Sequence, residues 1–150
     1  MNNKTKMESN LFIEEMKEKH INEVINLWKN TEGISLHENG EDNINGIITF
    51  INRNPGLSFI TKNIKNEIVG SLLCGHDGRR GYIHHLAVDN KYRKMGIANE
   101  MINKSLEKLK LLNIKKTALF VLKDNIDAQL FYEHNCWKKE DIVDVYSKIL

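Results

Sequence analysis

Apolar residues recur along this chain with two different periods, and each period predicts a different kind of element. Three stretches place apolar side chains three and four positions apart, as on one face of an amphipathic helix. They are residues 20–30, 44–53 and 97–112. The second stretch ends before Asn54-Pro55-Gly56, a sequence that interrupts helices. A shorter helix is predicted over residues 127–134.

Other stretches are rich in aliphatic and aromatic residues over lengths typical of strands. They are residues 11–16, 57–62, 67–75, 82–88 and 114–122. Only residues 63–66 separate the second stretch from the third, which predicts a hairpin. Apolar residues also alternate in the tail and predict a last strand or hairpin there. These are Ile142, Val143, Val145, Tyr146 and Ile149.

The predicted elements follow one another as β-α-α-β-β-β-α-β-α-β, a run of antiparallel strands followed by a βαβ-like crossover. This order predicts an α/β fold (an α+β mixed sheet) with helices on both faces. A length of 150 residues fits a single domain, residues 1–150. We expect the polar residues 1–9 to form a disordered tail.

Composition and charge argue against several classes of protein. The 22 basic and 20 acidic residues leave a formal charge of +2, which argues against nucleic acid as the main partner. No apolar run approaches the roughly 18 residues of a membrane span, and the N-terminus has no apolar signal region. Cys74 and Cys136 form neither a disulfide framework nor a zinc motif, so we expect no metal and a reducing cytoplasm. Cys74 is expected to be a buried small hydrophobe.

A candidate anion site lies between the fourth predicted strand and the third predicted helix. In such a strand-to-helix turn, bare backbone N–H groups point at an anion. Gly96 has no Cβ to hinder the approach, Ala98 is small, and Arg93 and Lys94 add positive charge. A plain helix start with a chance glycine is an equal alternative for this turn taken alone. The chain has neither G-x-x-x-x-G-K-[ST] nor G-x-G-x-x-G, which argues against a P-loop or dinucleotide fold.

Three motifs resemble those of the GNAT superfamily of acetyltransferases, in the same order. Arg93-Lys94-Met95-Gly96-Ile97-Ala98 is similar to the family's R/Q-x-x-G-x-G/A signature. The L-A-V stretch within residues 85–89 resembles the family's fourth strand, and residues 125–137 resemble N-x-x-A-x-x-F-Y-x-x-x-G-[FW]. The resemblance covers residues 57–150 well and the N-terminal third by element order only. We assign the family's glycine before the last aromatic to Asn135, which we expect to end the helix in a left-handed conformation.

The resemblance implies acetyl-CoA as a co-substrate. Backbone groups of Leu86, Ala87 and Val88 would pair with the pantetheine arm as an added strand does. Asn125 would contact the same arm from the end of the next strand, and the two strands would splay apart around the thioester. The residues implied for the pyrophosphate are Arg93, Lys94, Met95, Gly96, Ile97 and Ala98.

The resemblance also implies catalytic groups. Tyr132 occupies the position of the family's acid, which protonates the departing thiolate; a packing tyrosine on a short helix is the alternative. His84 lies two residues before L-A-V, where one family member has a His that acts as a base through water, and an imidazole pKa of about 6.5 suits that work. A partly buried strand histidine is the alternative for His84, and histone-type members place a Glu where this chain has Tyr82. Neighbouring strand positions face opposite sides, so we expect His85 to point away from His84 and to be structural.

The implied acceptor is a primary amine on a small molecule, a peptide N-terminus or a lysine. Glu32 and His37, with Glu38, lie in the loop between the first two helices, which shapes the acceptor site in this family. They could attract a cationic amine, although a solvated loop is the commoner explanation. Two other functions stay open, a catalytically idle acyl-CoA-binding regulatory module and a GNAT-type toxin that acetylates aminoacyl-tRNA. Edge strands of the C-terminal region could support a homodimer.

Overall fold

The computed structural model describes residues 10–150, which form two compact units. The first extends to Phe120 and the second comprises Val121–Leu150. The expected tail at residues 1–9 lies outside the described residues, and the single domain stays a prediction. Every helix within residues 10–150 is too short or too polar to cross a membrane.

The elements of the described chain agree closely with those predicted from the apolar pattern. The strands are β1 (Phe12–Glu15), β2 (Phe59–Lys62), β3 (Ile68–His76), β4 (Gly81–Val88) and β5 (Thr117–Leu119). The helices are α1 (Ile21–Lys29), α2 (Ile44–Arg53), α3 (Ile97–Leu111) and α4 (Ile126–His134). Short 3-10 turns occupy Glu18–His20 and Asn90–Tyr92. All strands and the first three helices belong to the first unit, and α4 belongs to the second.

The five strands form one mixed sheet in the order β1-β2-β3-β4-β5, which confirms the predicted fold class. Neighbouring strands are antiparallel except β4 and β5, which are parallel because α3 carries the chain back across the sheet between them. The predicted β2–β3 hairpin is confirmed. Asn63 stabilises its turn, since Oδ1 accepts the backbone N–H groups of Lys65 and Glu67 at 3.0 Å each.

Helices α1 and α2 pack together on one face of the sheet. Val24 and Trp28 of α1 join Ile47 of α2, and all three are at most 1% exposed. They lie against Ile60 of β2 and Leu73 of β3. Burying an apolar side chain of this size stabilises the fold by about 1.5–3 kcal/mol, so this cluster fixes both helices on the sheet.

Helix α3 packs on the opposite face, which confirms the predicted helices on both sides. Gly70 of β3 permits its close approach. A Cβ at this position would lie 3.0 Å from Ile97 Cγ2 and 3.2 Å from Met101 Cε. The contact holds the first turn of α3 directly against the centre of the sheet.

β5 is shorter than the predicted strand at residues 114–122. Ile114 is buried, but it belongs to the cap that follows α3, because its N–H donates to the carbonyl of Leu109 at 3.0 Å. Asn113 precedes it in the left-handed conformation, with φ +61°. This arrangement closes the helix, and the strand begins only at Thr117.

The predicted C-terminal strand or hairpin is wrong. Residues 138–150 contain no helix or strand. The alternating apolar residues are all exposed, and they are Ile142, Val143, Val145, Tyr146 and Ile149. Alternation alone does not make a strand, because a strand also needs a neighbour to pair its N–H and C=O groups.

The end of α4 also differs from the expectation. Asn135 has φ −96°, whereas Cys136 has φ +65° and lies directly before Trp137. Cys136 N–H donates to Glu133 O at 3.1 Å and Trp137 N–H donates to Tyr132 O at 2.9 Å, which is a Schellman motif. The glycine position of the family motif is therefore Cys136, and assigning it to Asn135 was wrong by one residue.

Candidate functional site

An irregularity in the β3–β4 pairing shapes the middle of β4. Ser71 pairs with Ala87 and Leu73 pairs with His84, so two residues of β4 stand opposite one residue of β3. One of these two, His85, has φ +48°, an uncommon conformation for a residue other than glycine. This is a β-bulge, and it rotates the side chains on either side of it.

The bulge places both histidines on the same face of the sheet, so the expectation that they face opposite sides is wrong. The ring of His84 lies 5.8 Å from Phe50 of α2 and stacks on Tyr82 at 6.3 Å. The ring of His85 lies 4.8 Å from Trp28 of α1. Strict alternation fails here because the extra residue changes which way His85 points.

His84 has the electrostatic environment of a neutral imidazole. Burial lowers its pKa below the usual value, and the neighbouring His85 lowers it further. The carboxylate of Asp42 acts in the opposite direction and is the smallest of the three effects. These effects favour the neutral form of the His84 ring, in which one nitrogen is free of a proton.

Asp42 is a further polar residue of this region, and no sequence motif indicates it. It is 5% exposed and lies directly before Asn43, the N-cap residue of α2. Its Oδ1 is 2.7 Å from Nε2 of His85, and its Oδ2 accepts the backbone N–H of His37 at 2.8 Å. The α1–α2 loop, residues 30–43, is therefore tied to the bulge of β4.

The residues predicted for the acceptor lie elsewhere in the α1–α2 loop. The side chains of Glu32 and His37 are exposed. Glu38 forms an ion pair with Lys29 at 3.3 Å. Asp42, by contrast, contacts His85 of β4, while Glu32, His37 and Glu38 remain candidates for attracting an amine at the surface.

A cavity of about 490 Å³ lies between α1, the α1–α2 loop and the first turn of α2. Seven of its nine lining residues have polar or charged side chains. The lining residues include Asn22, Asn26, Glu38, Asp42, Asn43 and Asn45. Asp42 thus borders this cavity and also contacts His85.

The outer edge of β4 is only partly covered by its neighbour. β4 and β5 pair through three residues each, and the last pair is Ile83 with Leu119. β4 continues to Val88 on the β3 side. Within the sheet, the edge of β4 at residues 86–88 therefore presents backbone groups that an extended ligand can pair with.

The turn after β4 contains two residues with positive φ and leads directly into helix α3. Gly96 precedes the helix with φ +82°, and Lys94 has φ +59°. The first backbone bond back into the helix is from Glu100 N–H to Gly96 O at 3.0 Å. The N–H groups ahead of Glu100 point out of the helix end. Arg93 Nε donates to Val88 O at 3.3 Å, which fixes the turn on the end of β4.

The second unit holds the remaining predicted residues. Asn125 caps α4, because its Oδ1 accepts the backbone N–H of Ala128 at 3.1 Å. The ring of Tyr132 lies between those of Phe131, at 5.1 Å, and Trp137, at 5.8 Å. Burial raises the pKa of Tyr132 to about 12, so its hydroxyl keeps its proton at neutral pH.

Within residues 10–150, no group of three or more His, Cys, Asp or Glu side chains is placed to hold a metal ion.

Comparisons with known proteins agree with the sequence motifs. The sequence profile of the "Acetyltransferase (GNAT) family" matches residues 13–136. An acetyltransferase of Sodalis glossinidius is 33% identical over 128 residues, and one of Pectobacterium atrosepticum is 30% identical over 127. Each alignment covers 85% of this chain and 87% of the relative.

Solved structures share the fold. An aminoglycoside acetyltransferase from an uncultured soil metagenomic sample, in complex with sisomicin, has a TM-score of 0.73 at 19% identity. That alignment covers 96% of this chain and 99% of the other. A chain of the NatC complex bound to Gag peptide and CoA has a TM-score of 0.70 at 22% identity, over 84% of this chain and 83% of the other.

Proposed function

Since the chain belongs to the GNAT family of acetyltransferases, we propose that it transfers the acetyl group of acetyl-CoA to a primary amine. One observation carries the proposal: in the first unit, the edge of β4 and the turn before α3 are continuous in the chain. The uncovered edge of β4 runs directly into the turn that starts α3. Acetyl-CoA has an extended pantetheine arm followed by a pyrophosphate. The arm would pair with the edge of β4, and the pyrophosphate would bind the N–H groups of the turn.

Backbone donors would dominate binding of the pyrophosphate. Each hydrogen bond to a charged group contributes about 1.5–3 kcal/mol, whereas the helix dipole contributes about 0.3–1 kcal/mol. The donors are the N–H groups of Lys94, Met95, Gly96, Ile97 and Ala98. Arg93 and Lys94 have exposed side chains that add positive charge beside them.

The acceptor amine must lose a proton before or during the reaction. An alkylammonium with a pKa of about 10.4 costs about 4.6 kcal/mol to deprotonate at pH 7. We assign the base to His84, directly or through a water molecule. Its lowered pKa supports the role, because the ring is ready to accept a proton at neutral pH.

The departing sulfur must gain a proton. When acetyl-CoA is bound, it supplies a thioester whose carbonyl carbon bonds to the amine nitrogen as the carbon–sulfur bond breaks. We assign Tyr132 as the acid that returns a proton to the sulfur, on the strength of the motif at residues 125–137. Its raised pKa supports the role, because the hydroxyl remains protonated until used.

The acceptor is proposed to be a small amine, a peptide N-terminus or a lysine. Glu32 and His37 are proposed to contact it as it binds. Both side chains are exposed, and Glu32 carries the charge that attracts an ammonium group. Replacing Glu32 by Gln would raise the KM for a cationic acceptor and leave that for a neutral one unchanged.

Turnover of acetyl-CoA across a panel of amines tests the proposed function, with release of free thiol as the readout. Acetylation of at least one class of amine, confirmed by product mass, would support it. Tight binding of acetyl-CoA with no turnover across the panel would refute it and favour an idle acyl-CoA-binding module. Failure to bind acetyl-CoA would refute both.

A further inference from the structure

We propose that Asp42 and His85 are positioning residues for the acceptor amine, an inference that rests on the proposed acetyl transfer. Their hydrogen bond clamps the α1–α2 loop onto the β4 bulge beside His84. The clamp would set where an acceptor amine meets the base, and it would have little influence on acetyl-CoA.

Hydrogen bonds of Asp42 and of its neighbour Asn43 fix the position of Asp42 in the loop. Its carboxylate accepts the N–H of His37, and its own N–H donates to the carbonyl of His37 at 3.2 Å. Its neighbour Asn43 accepts the N–H of Gly46 at 2.8 Å, which caps α2. A carboxylate this buried needs partners for its charge, and His85 is the one outside the loop.

His85 is equally fixed on the side of the sheet. Its ring packs on Trp28, whose Nε1 donates to Ser71 Oγ on β3 at 2.9 Å. Its backbone is held at φ +48°, a conformation that costs a non-glycine residue energy and persists only where the surroundings enforce it. The clamp therefore joins a rigid point on the sheet to a loop with no helix or strand of its own.

The position of the clamp gives it a functional consequence. His85 adjoins His84 in sequence and shares its face of the sheet. Asp42 also lines the cavity of about 490 Å³ next to α1. Moving the loop would shift the cavity relative to His84, and reaction rates are sensitive to displacements of this kind.

The experiment uses two variants that break the clamp, one that restores it and one control. Asp42→Ala removes the acceptor, and His85→Asn removes the reach of the imidazole while keeping a residue that tolerates positive φ. His85→Gln returns an N–H donor near the position of Nε2. The control, Glu41→Ala, deletes an exposed carboxylate one residue away on the same loop.

Two measurements are made on each variant. Hydrogen exchange of the α1–α2 loop reports the clamp without requiring activity, and we expect it to quicken about tenfold in Asp42→Ala and His85→Asn. Steady-state kinetics report positioning, and we expect the acceptor KM to rise about tenfold while the acetyl-CoA KM stays within about twofold. The double variant should match either single variant, because both break the same bond.

Each outcome decides one part of the inference. Unchanged loop exchange in both breaking variants would overturn the clamp. Faster exchange with an unchanged acceptor KM would overturn the positioning role, and recovery of both readouts in His85→Gln would support it. If Asp42→Ala fails to fold, His85→Asn decides both parts, because it leaves the Asp42 carboxylate and its bond to His37 in place. A wild-type protein that acetylates no amine would refute the proposed function and the positioning role, while the exchange data would still decide the clamp.

Discussion

Replacing Gly96 by alanine should weaken acetyl-CoA binding far more than its effect on stability explains. A Cβ at Gly96 would meet no atom within 4 Å, so no packing clash arises. The cost to the fold comes from φ +82° alone. For an L-residue in the left-handed region we expect the free energy of unfolding to fall by about 1–2 kcal/mol. Each kcal/mol lowers Tm by about 2–4 °C in a chain of this size.

The effect on binding has a separate origin. The new methyl group would stand beside the backbone N–H groups that we propose to bind the pyrophosphate. Losing one charge-assisted hydrogen bond of about 1.5–3 kcal/mol lowers affinity by at least tenfold. Calorimetric titration with acetyl-CoA measures this loss, and thermal unfolding without ligand measures the strain.

The chain offers a matched control in Gly78. It has φ +90°, and a Cβ there would also meet nothing within 4 Å, but it lies in the β3–β4 turn. Gly78→Ala should therefore lower Tm by a similar amount with no change in affinity. Gly96→Asn separates the causes, because Asn relieves strain yet still carries a Cβ. Wild-type affinity in Gly96→Ala, or equal losses of affinity in both alanine variants, would refute the reasoning.

Three further predictions concern individual side chains. His84→Ala should remove the acidic limb of the pH–rate profile: a base must be neutral, so activity falls as pH drops through its pKa, which burial holds below the usual value. A variant profile identical to that of the wild type would exclude His84 as the base. Tyr132→Phe should lower kcat by about 10²-fold with acetyl-CoA affinity nearly unchanged, and an unchanged kcat would remove Tyr132 as the acid. Cys136→Gly should raise the free energy of unfolding by about 1 kcal/mol, because glycine adopts φ +65° without strain. Asn135→Gly should not stabilise the protein. Chemical denaturation measures both variants, and equal effects would contradict the Schellman assignment.

The parts that sequence predicted well depend on short stretches of chain. Helix and strand positions follow from apolar periodicity, and the turn around Gly96 follows from six consecutive residues. The interior of β4 was harder, because the bulge at His85 depends on how two strands pair and leaves no mark in the sequence of one strand. Asp42 was missed for a similar reason, since 43 positions separate it from His85. The residues at 138–150 show the reverse case, in which a clear alternation forms no strand.

The different burial of the two cysteines allows thiol reactivity to measure how often the sheet opens. Burial raises the pKa of Cys74 in β3 to about 12, whereas Cys136 is exposed. A thiol reagent should therefore modify one cysteine per folded chain quickly and the second only when the sheet separates. The slow phase measures how often β3 becomes accessible, and saturation with a ligand that stabilises the folded state should retard it in proportion to occupancy. In an assay that counts released thiol, the rapid phase must be exhausted before substrate is added.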